Sequence, residues 1–250
     1  MERLSDWVNT NKLSLNVKKT QYMLFAGRKN INNEQGICIN KALINKTDQA
    51  KFLGVIITET LSWQSHINYI SKKISKSIGI IYKLSKYLNR NTLISLYYSL
   101  IYPYMIYCNE VWGLGYTTHK RKLLILQKRA LRIICGKLRD DHSNPLYKML
   151  KILKINDINT FLIATFMHKH YNQEIPDIFG DMFTNNSTVH NYDTRQNSEL
   201  HVPKVKSNLT KMTLRYAGVI TWNKIIRNIS FKCSIETFKK KIKDEIIGNY

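Results

Sequence analysis

A chain of 250 residues that is 44% hydrophobic can bury a real core, as one large domain or two smaller ones. Its formal charge of +22 argues against a small neutral ligand as the main partner and for a polyanion, either nucleic acid or an anionic membrane surface. Cys38, Cys108, Cys135 and Cys233 lie far apart without paired spacing. That excludes a disulfide framework or zinc ribbon and fits a reducing, intracellular compartment.

Residues 2–13 predict a short helix with Leu4, Trp7 and Val8 on one face, stopping near Asn11. The first seven residues have neither the apolar run nor the small-residue cleavage site of a secretory signal, so no export is expected. Strand-like runs follow at 21–26, 36–39, 41–44 and 51–58, the second and third pairing across Asn40. One helix and a small sheet are expected over the first sixty residues.

After Ser62 the period changes. Ile67, Ile70, Ile74, Ile78, Ile81, Leu84 and Leu88 recur at three- and four-residue steps and predict a long amphipathic helix, with Lys72, Lys73, Lys76, Lys83 and Lys86 mostly off the stripe. Asn91 or Thr92 is a candidate cap for a second helix ending near Tyr102. Residues 91–109 are uncharged, but Pro103 and five tyrosines interrupt them, so a buried helix is expected rather than a membrane span. A third helix is predicted over 116–135 with Leu123, Leu124, Leu126, Leu131 and Ile134 inward, then helices at 145–153 and 157–171, an irregular polar stretch at 184–207, and a closing helix over 234–247. On this last helix Ile235, Phe238, Ile242 and Ile246 make the apolar stripe.

Two-metal transfer chemistry needs carboxylates held close together. The adjacent pair Asp140-Asp141 sits in a hydrophilic connector and reads as a solvated loop supplying a helix cap near Ser143. His168 and His170, two apart on a helix, point about 200° from each other and are expected at the surface or core edge rather than on a shared metal. Gly113-Leu114-Gly115 reads as a turn between helices, not a phosphate loop. By its own residues the chain offers no catalytic or metal site. It does offer basic clusters, namely Lys72-Lys73, Lys76, Lys120-Arg121-Lys122, Lys128-Arg129 and Arg132. Residues 60–139 carry one carboxylate, Glu110, against fourteen Lys and Arg, and thus +13 of the total. A merely soluble face would mix in acids, so this segment is expected to lie along a phosphate backbone.

The run from Trp7 to Phe25, with Asn11-Lys12-Leu13, Leu15-Asn16 and Lys19-Thr20, resembles the segment just after the catalytic acid pair in reverse transcriptases of non-LTR, LINE-type retrotransposons. Phe52-Leu53-Gly54-Val55-Ile56 with Leu61-Ser62-Trp63 and His66-Ile67 resembles the next element, a strand hairpin near the primer terminus leading into the thumb. Tyr102-Pro103-Tyr104, Tyr107 to Gly113 and Leu126 to Ile134 are similar to thumb sequences of jockey- and RTE-like elements. Tyr192 to Gln196, Trp222-Asn223 and 234–241 are similar to the tail of the same proteins.

The resemblance implies an α+β, mainly α fold: a small antiparallel palm-remnant sheet in 1–60, a basic helical thumb in 61–140 and a C-terminal helical region in 141–250. It implies an RNA-directed DNA polymerase family whose metal-binding aspartates, and the Mg2+ they hold, lie before the stretch present here. This chain alone is then expected to be an inactive, truncated portion that needs no cofactor. It would bind RNA or an RNA/DNA duplex through Lys72, Lys73, Lys76, Arg121, Lys128, Arg129 and Arg132, and pair with an N-terminal polymerase half, in the cytoplasm or nucleus, with no membrane or small-molecule partner. Lys19 would lie near the incoming nucleotide or contribute to palm structure, and Phe52, Leu53 and Gly54 would seat the primer end. Without that site, Phe52 and Leu53 are expected in the core of the small sheet, with Gly54 allowing a close backbone approach or bulge. The alternative is a domesticated helical interaction protein whose tyrosine-rich segment 97–107 is an exposed docking patch for a protein partner or an acidic membrane.

Overall fold

The computed structural model describes residues 2–25, 36–39, 42–189, 197 and 199–250. They form two compact units, 1–68 and 69–250. The Tyr192 to Gln196 motif, the end of the 21–26 strand and the Asn40-Lys41 link lie outside the described residues.

In the first unit, α1 (Glu2–Thr10) buries Val8 and leaves Trp7 exposed. It ends where the Asn11 side-chain amide takes over the Trp7 carbonyl at 2.7 Å and Lys12 turns to φ 53°. The strands are β1 (Gln21–Tyr22), β2 (Cys38–Ile39), β3 (Ala42–Leu43), β4 (Asn45–Lys46), β5 (Gln49–Phe52) and β6 (Val55–Thr58). The single antiparallel sheet expected from sequence is instead three separate pairs: β1 with β4 in parallel, and β2 with β3 and β5 with β6 antiparallel.

The 51–58 run, one strand by its residue pattern, is the hairpin that the resemblance implies. Its turn residues Leu53 and Gly54 have φ of 44° and 86°, the double left-handed conformation of the two-residue turns that match strand twist. This overturns the core expectation for Phe52 and Leu53, which stand 63% and 74% exposed at the end of the hairpin, Phe52 paired with Val55 beside the turn and Leu53 within it. Gly54 serves the turn rather than a bulge. Thr58 closes the exit from the hairpin, its hydroxyl accepting from the Ser62 amide and donating to the Ser62 carbonyl, both at 3.0 Å.

α2 (Gln64–Leu84) follows the predicted stripe: Ile67, Ile70, Ile74, Ile78 and Ile81 are all buried. α3 (Arg90–Leu100) starts one turn earlier than expected, since Asn89 caps it by accepting from the Thr92 amide at 3.0 Å. The chain then breaks into α4 (Tyr102–Ile106) and α5 (Asn109–Trp112), with Pro103 in the first turn of α4 and Cys108 left-handed between them. α6 (Thr117–Ile134) and α7 (Asn144–Leu150) follow, then α8 (Ile155–Tyr171). Ser143 precedes α7 without the expected side-chain cap bond, because its backbone is already helical at φ −92°, ψ −18°.

After a 3-10 turn at Asp177–Met182 come α9 (Asn186–Val189), α10 (Asn208–Lys211), α11 (Leu214–Ile226) and α12 (Ile235–Gly248). α8 packs against α4, α5, α6, α11 and α12, which is why residues 161–168 are all buried or partly buried rather than striped. Ile163, Ala164 and Met167 of α8 meet Val219 and Trp222 of α11 and Phe238 and Ile242 of α12 in one buried cluster. His168 belongs to this interior, not to the surface: it is fully buried and stacked on Phe238 at 4.2 Å, its Nε2 3.1 Å from the Phe231 and Cys233 carbonyls. On α12 the stripe of Phe238 and Ile242 continues to Ile246, partly buried against the same cluster, with Ile247 buried beside it. The mainly helical α+β class is thus observed, with very little sheet.

Candidate nucleic-acid interface

At about 100° per residue, positions i, i+7 and i+11 of a helix share one stripe. On α6 these are Arg121, Lys128 and Arg132, outward beside Ile125, which is 58% exposed, with Arg129 exposed on the flank. The opposite side, Leu123, Gln127, Ala130, Leu131 and Ile134, is buried. The helix therefore presents cations because its other face is committed to the core. Arg132 is half-buried, and its Nε donates to the Asp141 carbonyl at 2.8 Å, so the guanidinium is already anchored at one edge.

On α2, Lys72, Lys73 and Lys76 are exposed opposite the isoleucine stripe, and Lys73 Nζ lies 5.8 Å from the Tyr69 ring centroid. Among the described residues no carboxylate pairs with any of Lys72, Lys73, Lys76, Arg121, Lys128 or Arg129; the ion pair present, Arg227 with Glu199, is elsewhere. Lys19 is exposed in the turn after Asn16, where its amide donates to the Asn16 side-chain oxygen at 3.2 Å, and it belongs with the Phe52-Leu53-Gly54 tip to the first unit.

Lys120 leaves the expected basic cluster. It is 7% exposed and its Nζ donates to the Gly113 carbonyl at 2.5 Å, and burial lowers its pKa from the ordinary lysine value. It falls on the inward stripe, one turn before Leu123, so the helical period alone points it inward. Gln127 does the same, one turn after Leu123, and sits at the centre of the interior with both ends of its amide bonded. Gly113 is where α5 meets α8: Asn159 Nδ2 donates to the Asn109 carbonyl and side-chain oxygens at 3.0 Å, and a Cβ on Gly113 would collide with these groups. That close approach is the physical content of the Gly113-Leu114-Gly115 turn.

Asp140 and Asp141 do not form a metal site. Asp141 spends one carboxylate oxygen on the Leu138 amide at 2.9 Å and its carbonyl on Arg132, bracing the connector. Among the described residues no group of three or more His, Cys, Asp or Glu is placed to hold a metal ion. No helix among the described residues is long and apolar enough to cross a membrane.

Comparison with known proteins gives the chemistry a context. Over 161 residues the chain is 26% identical to the RNA-directed DNA polymerase from mobile element jockey of Drosophila funebris, and 25% identical to the Drosophila melanogaster protein of that name. Over 159 residues it is 22% identical to the probable RNA-directed DNA polymerase from transposon X-element of Drosophila melanogaster. These matches cover 62 to 63% of this chain and 17% of each relative. No family model matches, and no solved structure matches. By sequence the chain is therefore similar to a portion, about a sixth in length, of the RNA-directed DNA polymerases of non-LTR mobile elements such as jockey and the X-element.

Proposed function

We propose that this chain is a nucleic-acid-holding portion of a non-LTR reverse transcriptase, comprising the end of the palm in 1–60, a basic thumb in 61–140 and a C-terminal helical region in 141–250. It grips an RNA or RNA/DNA duplex, and the carboxylates that perform nucleotidyl transfer are supplied by a polymerase half outside this sequence. The observation that carries the reading is the pair of unneutralised cationic faces on α2 and α6, in a segment with one acid, in a relative of RNA-directed DNA polymerases. Such faces bind phosphate through counterion release, with little sequence discrimination.

The tyrosine-rich segment supports the same reading. Tyr97, Ile101 and Met105 are fully buried, as a thumb core requires, and Tyr98 and Tyr107 on the same segment are 36% and 52% exposed, so its inner side packs as core while its outer tyrosines meet solvent. Filter binding of a labelled RNA/DNA hybrid to the full chain tests the proposal. Binding is expected, with log affinity falling linearly in log salt; no retention of the hybrid even at low salt would overturn it. Incubation with dNTPs and Mg2+ is expected to extend no primer unless the polymerase half is added.

A further inference from the structure

The strongest unassigned feature is a cleft of about 500 Å³ between the end of α8, the 3-10 turn and α11, on elements other than the basic helices α2 and α6. Its walls are aromatic. Tyr171 meets Phe231 edge-on at 4.9 Å, Phe231 lies 5.5 Å from Trp222, and His170 meets Phe183 at 4.8 Å. These rings brace one another, so the cleft is preformed, and Tyr171 is 48% exposed at its mouth.

Among the described lining residues Asp177 is the one carboxylate, and none is Lys or Arg. Residues 170–189 contain Glu174, Asp177 and Asp181 and no Lys or Arg, within a chain of net +22. A phosphate-bearing ligand finds no charge partner here and meets Asp177. A guanidinium or ammonium finds ring faces for its stem and cation, and a carboxylate for its head.

We infer that this cleft receives an arginine- or lysine-bearing peptide segment of a protein partner, a binding activity separate from the nucleic-acid interface. The partner's cation lies on Tyr171 and Phe231 with Asp177 beside it, while its apolar neighbours cover Ile226 and Leu200. Charge complementarity selects this occupant over a nucleic acid, and the ring walls select it over a free inorganic cation.

Fluorescence anisotropy on the full chain decides the matter, with labelled Leu-Arg-Leu-Arg-Leu and Leu-Glu-Leu-Glu-Leu peptides as probes. The arginine peptide is expected to bind saturably and the glutamate peptide not to bind. Asp177→Lys, at an exposed position, and Tyr171→Ala should each weaken the arginine peptide by about tenfold, the scale of one cation–π contact or one close charge pair. Tyr171→Ala should hold an RNA/DNA hybrid as tightly as the parent chain and Asp177→Lys at least as tightly, so failure here is distinguishable from failure of the nucleic-acid reading. Equal binding of the two peptides, no saturable binding of either, displacement of the arginine peptide by the hybrid, or an unchanged affinity in Asp177→Lys would each overturn the inference.

Discussion

Gln127 Nε2 donates to the Tyr97 hydroxyl oxygen at 2.9 Å, joining α6 to α3 across thirty residues of chain. The same amide nitrogen donates to the Leu153 carbonyl at 2.8 Å, and its oxygen accepts from the Tyr147 hydroxyl at 3.2 Å and the Ile155 amide at 3.0 Å. One fully buried side chain thus ties α3, α6, α7 and the start of α8 and uses all its hydrogen-bonding capacity. Gln127→Leu keeps the volume but strands a backbone amide, a carbonyl and two hydroxyls. An unfolding free energy lowered by about 2 to 4 kcal/mol is expected in urea titration, against about 1 kcal/mol for Tyr97→Phe, which removes one hydroxyl.

The tyrosines around this hub set an alkaline limit. Burial pushes the ionisation of Tyr97, Tyr147 and Tyr250 above the ordinary tyrosine value of 10.0. For Tyr250 its bond to Asp157 Oδ2, at 2.7 Å, adds to the effect. A phenol whose folded pKa is raised contributes stability that is whole below the unfolded value and is lost as pH rises through the folded one. Melting temperature should therefore hold up to about pH 10 on account of these groups and fall above it, with tyrosinate absorbance appearing together with loss of helix in circular dichroism. Gradual tyrosinate formation with the helix signal unchanged would contradict this.

The helices were legible wherever one face alone is buried. The stripe on α2 and the inward leucines of α6 are of this kind, because an exposed opposite face leaves a clean 3.6-residue period. α11 gave no such signal: it lies between α8 and other apolar surface, so Val219, Trp222 and Ile225 are buried while Ile220 adds an apolar residue on the outer side. The strand run 51–58 hid its turn because Leu53-Gly54 lacks the Asn-Gly signature and is flanked by β-branched residues. For the interface, charge composition pointed to the right helices but could not sort their cations. Lys120 and Arg121 are neighbours in sequence, and only the position of each on the helix sends one to the Gly113 carbonyl and the other to solvent.

That hairpin turn offers a stabilising substitution. Leu53 holds φ 44° with its side chain 74% exposed, so it strains the backbone and gains little from burial. Leu53→Asn places Asn-Gly in a turn that wants two left-handed residues, and the unfolding free energy should rise by about 0.5 to 1 kcal/mol in denaturant titration. If the tip also seats a primer end, as the resemblance implies, the same variant should bind an RNA/DNA hybrid more weakly despite its greater stability. A tip with no such contact would leave hybrid affinity unchanged.

Charge reversal on α6 separates a specific basic face from general positive charge. Arg121 is exposed and Lys128 half-buried on the outer stripe; no described carboxylate pairs with either, and Arg121→Glu with Lys128→Glu removes no hydrogen bond that the fold uses. Arg132 is a poorer choice, because its bond to the Asp141 carbonyl braces the connector to α7 and its loss would mix stability with binding. Each phosphate contact contributes about 0.7 to 0.9 to the slope of log affinity against log salt, so loss of both contacts in the double variant should flatten the slope for an RNA/DNA hybrid by about 1.4 to 1.8. Lys240→Glu with Lys241→Glu on α12 changes net charge by the same amount on a helix that also carries Glu236, Asp244 and Glu245. It should lower affinity slightly at low salt and leave the slope nearly intact. Equal slopes in the two double variants would mean that α6 contributes only to the overall positive field, and that the duplex is held elsewhere.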